Sequence, residues 1–377
     1  MKILVLMQCT NLGGMEQSTL LLMEEMKKCG HTVELLSLHE MGALAPLLEE
    51  REIPFSALGY KGKWGWRSFF PLKRLLRGKS ADAFIMVGHN MMATLALGDL
   101  CKGNRLLLLH FHHQGIKAPM IWRGMYRIML KQFDRIVYPS QFIRREALQL
   151  MPRLQFSKKI LSYPIVSPIR MPALSQGKSL LPWENLKLNP SEKYVGNAGW
   201  LIPRKRWDIF LRVAAEVASV VPEACFLIAG DGPMKEELML LAEELKLQDR
   251  IIWLGWQQDL DDFYRVLDVM LFHSDWDAMG RTPLEAMSYG VPVVASVRHG
   301  GLKEILRSEE HGFFMKQHDI PSLAAQVITL LQDQKLATTM GENARKHIEK
   351  VSSPRLHAER ILKLLKNPPT HRESHSC

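Results

Sequence analysis

Cysteine is scarce in this chain of 377 residues, and no long apolar run occurs in it. The five cysteines, at positions 9, 29, 101, 225 and 377, are scattered, odd in number and without metal-ligand spacing. They give no sign of a disulfide framework or a zinc site, and they point to a reducing compartment. No uninterrupted apolar stretch approaches the length needed to span a bilayer. The opening Met1-Lys2-Ile3-Leu4-Val5-Leu6-Met7 is apolar but short. It leads into Thr10-Asn11-Leu12-Gly13-Gly14 rather than a cleavage site, so a first buried strand is expected there instead of a leader. Internal repeats, zinc fingers and RNP-like sequences are also missing, so binding to nucleic acid would rest on charge alone and is not expected.

Acidic residues are absent from two stretches. Between Glu52 and Asp82 seven basic residues stand without an acid, interleaved with Tyr60, Trp64, Trp66, Phe69 and Phe70. From Lys102 to Lys131 six more follow, alongside Trp122 and Tyr126. Residues 1–160 carry 23 Lys and Arg against 12 Asp and Glu, while the remainder carries 26 against 27. The whole surplus behind the net charge of +10 therefore lies in the first half. Cations mixed with aromatics suit an anionic membrane surface, where rings sit at headgroup level. The competing expectation is a solvated basic face whose aromatics turn into the core.

What is present is enough apolar content, 47%, for two ordinary cores. Apolar runs at Ile3 to Met7, Thr32 to Leu38, Ala83 to Val87, Arg105 to Phe111 and Arg135 to Tyr138 read as strands, separated by helical spacing such as Gln17 to Cys29. The pattern resumes at Tyr194 to Ala198, Cys225 to Ala229, Ile251 to Leu254, Val269 to Phe272 and Val291 to Ala295, with a helical segment at Pro233 to Leu245. Such alternation predicts α/β architecture with parallel sheets covered by helices. Prolines at 164, 168, 172, 182 and 190 mark the break between the two series. The expected organisation is a first domain over 1–165, a linker over 166–191, a second domain over 192–366 and a disordered tail over 367–377.

The most informative segment runs from His273 to Gly301. Asp277 and Glu285 are eight residues apart, with Gly280 between them and Pro283 where a helix would begin. A turn at Gly280, Arg281 and Thr282 would aim backbone N–H groups at an anion, and each carboxylate can accept hydrogen bonds from sugar hydroxyls. A nucleotide sugar presents both kinds of group. Asp275-Trp276-Asp277 and Asp259-Leu260-Asp261 also have the D-x-D form that can hold a divalent metal, although short acidic triplets arise easily by chance.

The segment 277–285 resembles the E-x7-E signature of retaining glycosyltransferases of family 4, with Asp in place of the first Glu. That resemblance implies the GT-B fold, two Rossmann-like doubly wound domains facing across a cleft, and a metal-free site. It assigns Glu285 to the nucleotide ribose and Asp277 to hydroxyls of the donor sugar. Gly199-Trp200-Leu201-Ile202-Pro203-Arg204-Lys205-Arg206 resembles the family stretch Gly-Arg-Leu-x-Pro-x-Lys-Gly. Lys205 aligns with the diphosphate ligand, Trp200 stands where an Arg belongs, and Arg204 or Arg206 would supply the missing charge. Gly230-Asp231-Gly232-Pro233 and Gly300-Gly301-Leu302-Lys303-Glu304 are similar to further family turns.

In the first half, Gly13-Gly14-Met15-Glu16 looks like the family's Gly-Gly-x-Glu loop over the reaction centre, its glycines allowing close approach and a positive φ. His112 in Phe111-His112 fits the family's histidine near the donor sugar, with His110 and His113 as neighbours in register. Asp134 and Ser140 match residues of the first domain's last strand. The implied activity is retaining, metal-independent transfer from a nucleotide-diphosphate sugar, UDP above others, with no cofactor. The acceptor implied is a saccharide, lipid-linked or part of an envelope lipopolysaccharide, met by a cytoplasmic protein lying at the inner face of a membrane. Alternatives are a catalytically silent GT-B protein that binds a nucleotide or partner, and a nucleotide-sugar epimerase.

Overall fold

The computed structural model describes residues 1–11, 13–61, 65–102, 104–109, 119–152, 161–173, 181–315 and 318–366. They form two compact units, one of residues 1–168 together with the chain from Pro354 onward, the other Ile169–Ser353. Both are parallel α/β sandwiches of the Rossmann type.

The first unit holds β1 (Lys2–Met7), β2 (Thr32–Ser37), β3 (Phe55–Ala57), β4 (Ala83–Val87), β5 (Arg105–Leu108), β6 (Arg135–Tyr138) and β7 (Leu161–Pro164), in the order β3-β2-β1-β4-β5-β6-β7. β1 pairs β2 on one side, Val5 opposite Leu35, and β4 on the other, Val5 opposite Ile85. Ile3, Val5 and Met7 point into one core with Leu20, Met23 and Met26 of the helix Gly14–Lys28. The opening apolar run is thus the central strand.

The second unit holds β8 (Lys193–Ala198), β9 (Ala224–Ala229), β10 (Ile251–Gly255), β11 (Val269–Asp277), β12 (Val293–Gly300) and β13 (Gly312–Met315), in the order β10-β9-β8-β11-β12-β13. Strand order reverses between β1 and β4 and again between β8 and β11. In such sheets ligands lie beyond the carboxyl ends of the strands at that switch. β11 and β12 run past their apolar stretches, with pairing continuing to Asp277 opposite Gly300. Ladder hydrogen bonds hold backbone there although the side chains have turned polar.

Two expected boundaries are corrected. The helix Pro354–Lys366 belongs to the first unit, because its apolar stripe of Ala358, Ile361, Leu362 and Leu365 is buried in the core around β1. Part of the expected linker is built into the second unit. Ile169 is fully buried and its N–H donates to the Ser352 carbonyl at 2.8 Å. The helix Leu181–Leu186 packs on the helix Asp261–Val266, where Asn185 Nδ2 donates to Asp262 Oδ2 at 2.7 Å. The expected tail, 367–377, lies outside the described residues. Among the described residues no helix is long and apolar enough to cross a membrane.

Candidate functional site

The carboxyl ends of β8 and β11 meet at the switch point of the second sheet. After β8 the chain makes a short 3-10 turn, Pro203–Lys205, and Arg206 takes a left-handed conformation, φ 49° and ψ 47°, to open the helix Trp207–Val220. That turn sets Lys205 beside the end of β11. Its Nζ donates to Asp277 Oδ2 at 2.6 Å and lies 4.9 Å from the centre of the Phe272 ring. Arg204 Nη1 donates to the Trp276 carbonyl at 2.9 Å and stands 3.9 Å from the same Asp277 oxygen. Burial pushes the Asp277 carboxyl up, but Lys205, with Arg204 and the Gly280 N–H, outweighs it and holds the group below the usual range.

Asp277 has a second task. Its Oδ1 accepts the Gly280 N–H at 2.9 Å and so closes the turn that opens the helix Arg281–Ser288. Gly280 has φ 79°, which a side chain would strain. This corrects the expectation of free amides at Gly280: its N–H is taken by Asp277. Thr282 Oγ1 is buried with no hydrogen-bond partner among the described residues.

Glu285 is held from two sides. Arg281 Nε lies 2.7 Å from Glu285 Oε1, and Tyr264 Oη donates to Glu285 Oε2 at 2.7 Å. Tyr264 is buried, and burial together with the Glu285 charge raises its phenol well above the ordinary value. Nothing in the sequence pointed to Tyr264, because it sits 21 residues away on the helix Asp261–Val266 and meets Glu285 only through packing.

The two acidic triplets do different work. Asp275 is surrounded by His318 Nε2 at 3.2 Å, Arg298 Nη1 at 3.4 Å and Arg206 Nη1 at 3.5 Å. Asp259 Oδ1 accepts the Asp261 N–H at 2.9 Å at the start of a helix, while Asp261 accepts from Tyr289 and lies 3.5 Å from Arg170. Behind Asp275, His273 is fully buried with both ring nitrogens unpartnered among the described residues, and burial pushes it down to about 3.

Gly300 packs against this loop. A Cβ there would stand 2.2 Å from the Asp277 carbonyl, so β12 can run alongside Asp277 only as glycine. Trp200 and Trp256, both exposed, meet at a tilt of 42° with ring centres 4.5 Å apart beyond β8 and β10. Trp200 carries no charge where the family stretch has an arginine; Arg204, four residues on, is a cation that stands beside Asp277.

In the first unit Gly13 precedes the helix Gly14–Lys28 with extended backbone, φ −137°, so positive φ is not its reason. The carboxylate of Glu16 folds back to within 2.8 Å of where a Cβ would sit. Glu16 is buried, accepts a hydrogen bond from the Cys9 thiol at 3.8 Å, and burial raises its carboxyl. Gly14 begins the helix beyond the end of β1, as expected. Asp134 accepts the Arg105 N–H at 2.9 Å and Ser140 caps the next helix through Ile143 N at 3.2 Å, so both are structural. His110, His112 and His113 lie outside the described residues.

Residues 12–155 match the family model described as Glycosyltransferase Family 4, and residues 184–347 match that of Glycosyl transferases group 1. The chain belongs to the glycosyltransferases of the GT-B fold. Over 161 residues this GT-B glycosyltransferase is 31% identical to N-acetyl-alpha-D-glucosaminyl L-malate synthase of Bacillus anthracis, covering 43% of this chain and 42% of that protein. Over 156 residues it is 31% identical to the lipopolysaccharide core biosynthesis mannosyltransferase LpsB of Rhizobium meliloti, covering 40% of this chain and 44% of that one. The chain therefore spans less than half the length of these curated relatives. The crystal structure of HepE from Anabaena in complex with UDP superposes with a TM-score of 0.80 at 19% identity, covering 97% of this chain and 100% of that one. At that identity the likeness establishes the shared GT-B fold.

Proposed function

We propose that the chain is a retaining, metal-independent glycosyltransferase that moves a sugar from a UDP-sugar to a lipid-linked or envelope saccharide. The observation that carries this reading is the pair of cation–carboxylate couples at one switch point, Lys205 with Asp277 and Arg281 with Glu285. Breaking the bond between sugar and diphosphate leaves negative charge on the departing phosphate. Fixed cations that meet this charge contribute most to lowering the barrier. Lys205 and Arg204 supply them. An arriving diphosphate competes with Asp277 for Lys205, and a carboxylate freed in this way can accept hydroxyls of the donor sugar. Glu285, oriented by Arg281 and Tyr264, is suited to a ribose diol.

In the proposed transfer the anomeric C–O bond to phosphate breaks with its electrons going to the phosphate oxygen. The acceptor oxygen bonds to the same face of the sugar, and its proton passes to that phosphate oxygen. Metal independence draws support from Asp275 and Asp277, each of which already answers to its own set of protein cations. UDP and an envelope acceptor draw support from the UDP held by HepE and from the lipopolysaccharide core role named for LpsB.

The purified protein incubated with UDP-, GDP- and ADP-sugars in EDTA, together with a lipid-linked saccharide extract, tests this reading. Release of UDP and a product anomer matching the donor, read by NMR, are expected. Dependence on added metal or an inverted anomer would remove the corresponding part. Nucleotide binding without turnover on any donor would favour the silent GT-B alternative.

A further inference from the structure

Three consecutive residues of the turn after β8 meet the end of β11, each in a different way. The Arg204 carbonyl accepts the Ser274 hydroxyl at 3.1 Å, while the Arg204 guanidinium donates to the Trp276 carbonyl at 2.9 Å. Lys205 reaches Asp277. Arg206 takes neither direction. Its Nη1 lies 3.5 Å from Asp275 Oδ1, and its Nε and Nη2 donate to Asp208 Oδ1 and Oδ2 at 3.0 and 2.9 Å. The planar fork of the guanidinium is thus engaged by two carboxylates of the protein itself.

Position 206 is an unfavourable place for a side chain. Its φ of 49° and ψ of 47° lie in the left-handed region, which glycine enters freely, and the stretch that this turn resembles has glycine after the lysine. A side chain persists in that conformation only where its surroundings hold it. Asp208 and Asp275 do so here. The same residue closes the turn, its N–H donating to the Pro203 carbonyl at 3.1 Å, and opens the next helix, its carbonyl accepting the Ile209 N–H at 3.0 Å. Asp275 is in turn a junction. Its Oδ1 also faces Arg298 Nη1 on β12 and His318 Nε2 beyond β13, at 3.4 and 3.2 Å. His318 Nδ1 lies 2.7 Å from Ser296 Oγ, and Ser296 is fully buried, so this string of contacts runs inward from the carboxyl edge.

We infer that Arg206 and Asp275 are positioning residues for the transfer: together they brace the turn after β8 so that Lys205 already stands at the end of β11 when a diphosphate arrives. The rival reading makes Arg206 a second phosphate cation. Turning it outward would abandon both Asp208 and Asp275, and would release the left-handed turn that carries Lys205. Acting from behind, the guanidinium does more. A cation fixed in place meets the charge developing on the leaving phosphate without having to reorganise at that moment. The consequence for the reaction rests on the donor reading proposed above; the brace itself does not.

Arg206→Gly gives the turn the residue its backbone prefers and removes the fork, while Asp275→Asn keeps the shape and removes the charge. With the UDP-sugar that the protein turns over, in EDTA, each should lower kcat about tenfold, the effect of a slightly misplaced group. KM should stay within about threefold, since Glu285 is untouched. Arg206→Lys, which keeps a cation between the two carboxylates, should recover part of the rate. The double variant should be no slower than either single one, and neither change should slow Lys205→Ala further, because both act through Lys205. The brace can also be read without a donor. Acetylation of Lys205 by acetic anhydride, followed by mass spectrometry, should be at least about threefold faster in both variants, as local opening frees the amine from Asp277. Losses that multiply in the double variant or persist in Lys205→Ala, or an unchanged acetylation rate, would overturn the proposal. So would tighter UDP binding by Asp275→Asn, which would make the released Arg206 a phosphate ligand. If acetylation rises as expected while Lys205→Ala releases UDP at the parent rate, the donor reading falls and the brace stands; if Lys205→Ala abolishes release while Arg206→Gly and Asp275→Asn change neither assay, the brace alone falls.

Discussion

Lys205 Nζ lies 2.6 Å from Asp277 Oδ2, with 15% of either side chain exposed. The pair ties the turn after β8 to the end of β11, and Asp277 carries the tie onward to the Gly280 amide. Lys205→Ala leaves that carboxylate mostly buried, with Arg204 at 3.9 Å as its remaining cation among the described residues. Breaking one side of such a pair costs about 3 kcal/mol. Adding Asp277→Ala should restore part of that loss, because no orphaned charge remains. Nucleoside diphosphate release should fall at least about a hundredfold in both variants. Denaturant titration beside a release assay checks this; a double variant less stable than Lys205→Ala would show the pair uncoupled.

Stability should fall in acid through two overlapping windows. Asp277 has its folded value held below the ordinary 3.8, so its contribution is fully present above about pH 4 and is lost as pH falls through the lower folded value. His273 acts higher. Burial lowers it from 6.5 to about 3, so the unfolded chain takes up a proton that the folded chain refuses. Stability from this group therefore drops as pH falls from 6.5 towards 3, by at most about 1.4 kcal/mol per pH unit. His273→Leu should flatten that slope, and Asp277→Asn should alter only the more acidic limb. Thermal unfolding followed across both windows decides it. A His273→Leu profile parallel to the parent would clear His273 of the effect.

How far the fold could be read depended on where the apolar pattern coincided with the backbone. β4 and β6 were legible to the residue, because both are apolar or inward-facing throughout. β3, β7 and β13 were not, being three or four residues long at or near sheet edges with no pattern to separate them from loops. β11 and β12 were read short because their last residues are polar while their backbones still pair. Asp277, Lys205 and Glu285 were visible as motif positions, but the Asp277 clasp on Gly280 and the Tyr264 contact with Glu285 were not. The first is a local bond from an aspartate to an amide three residues on, a pattern the sequence reading passed over, whereas the second depends on tertiary packing between residues 21 apart. The last helix was assigned to the wrong unit for the same reason: its stripe shows that it is buried, not against what.

Tyr264→Phe removes one hydroxyl and leaves the ring in place. Glu285 keeps Arg281 at 2.7 Å but loses the hydrogen bond that fixes its second oxygen. A hydrogen bond to a charged group contributes about 1.5–3 kcal/mol. If Glu285 holds the ribose, affinity for the nucleotide should fall at least about tenfold, and a 2′-deoxy nucleotide should lose less than the ribonucleotide. Calorimetry with both nucleotides reads the difference. Equal losses would place Glu285 away from the ribose, and no loss would leave Tyr264 a purely structural partner.

The helix Pro354–Lys366 offers a test of how the units are stabilised. Ile361, Leu362 and Leu365 bury their side chains almost completely, and His357 Nδ1 lies 2.8 Å from the Val166 carbonyl. Each such aliphatic contributes about 1.5–3 kcal/mol when buried, so truncation after Ser353 should cost the first unit on the order of 5 kcal/mol. The second unit keeps every strand around Lys205, Asp277 and Glu285. Calorimetry should show the transition of residues 1–168 shifted down or lost, with that of 169–353 and its stabilisation by nucleotide retained. Limited proteolysis should cut first within 1–168. A shortened chain whose second unit melts early, while the first holds, would mean that this stripe is not what secures the core around β1.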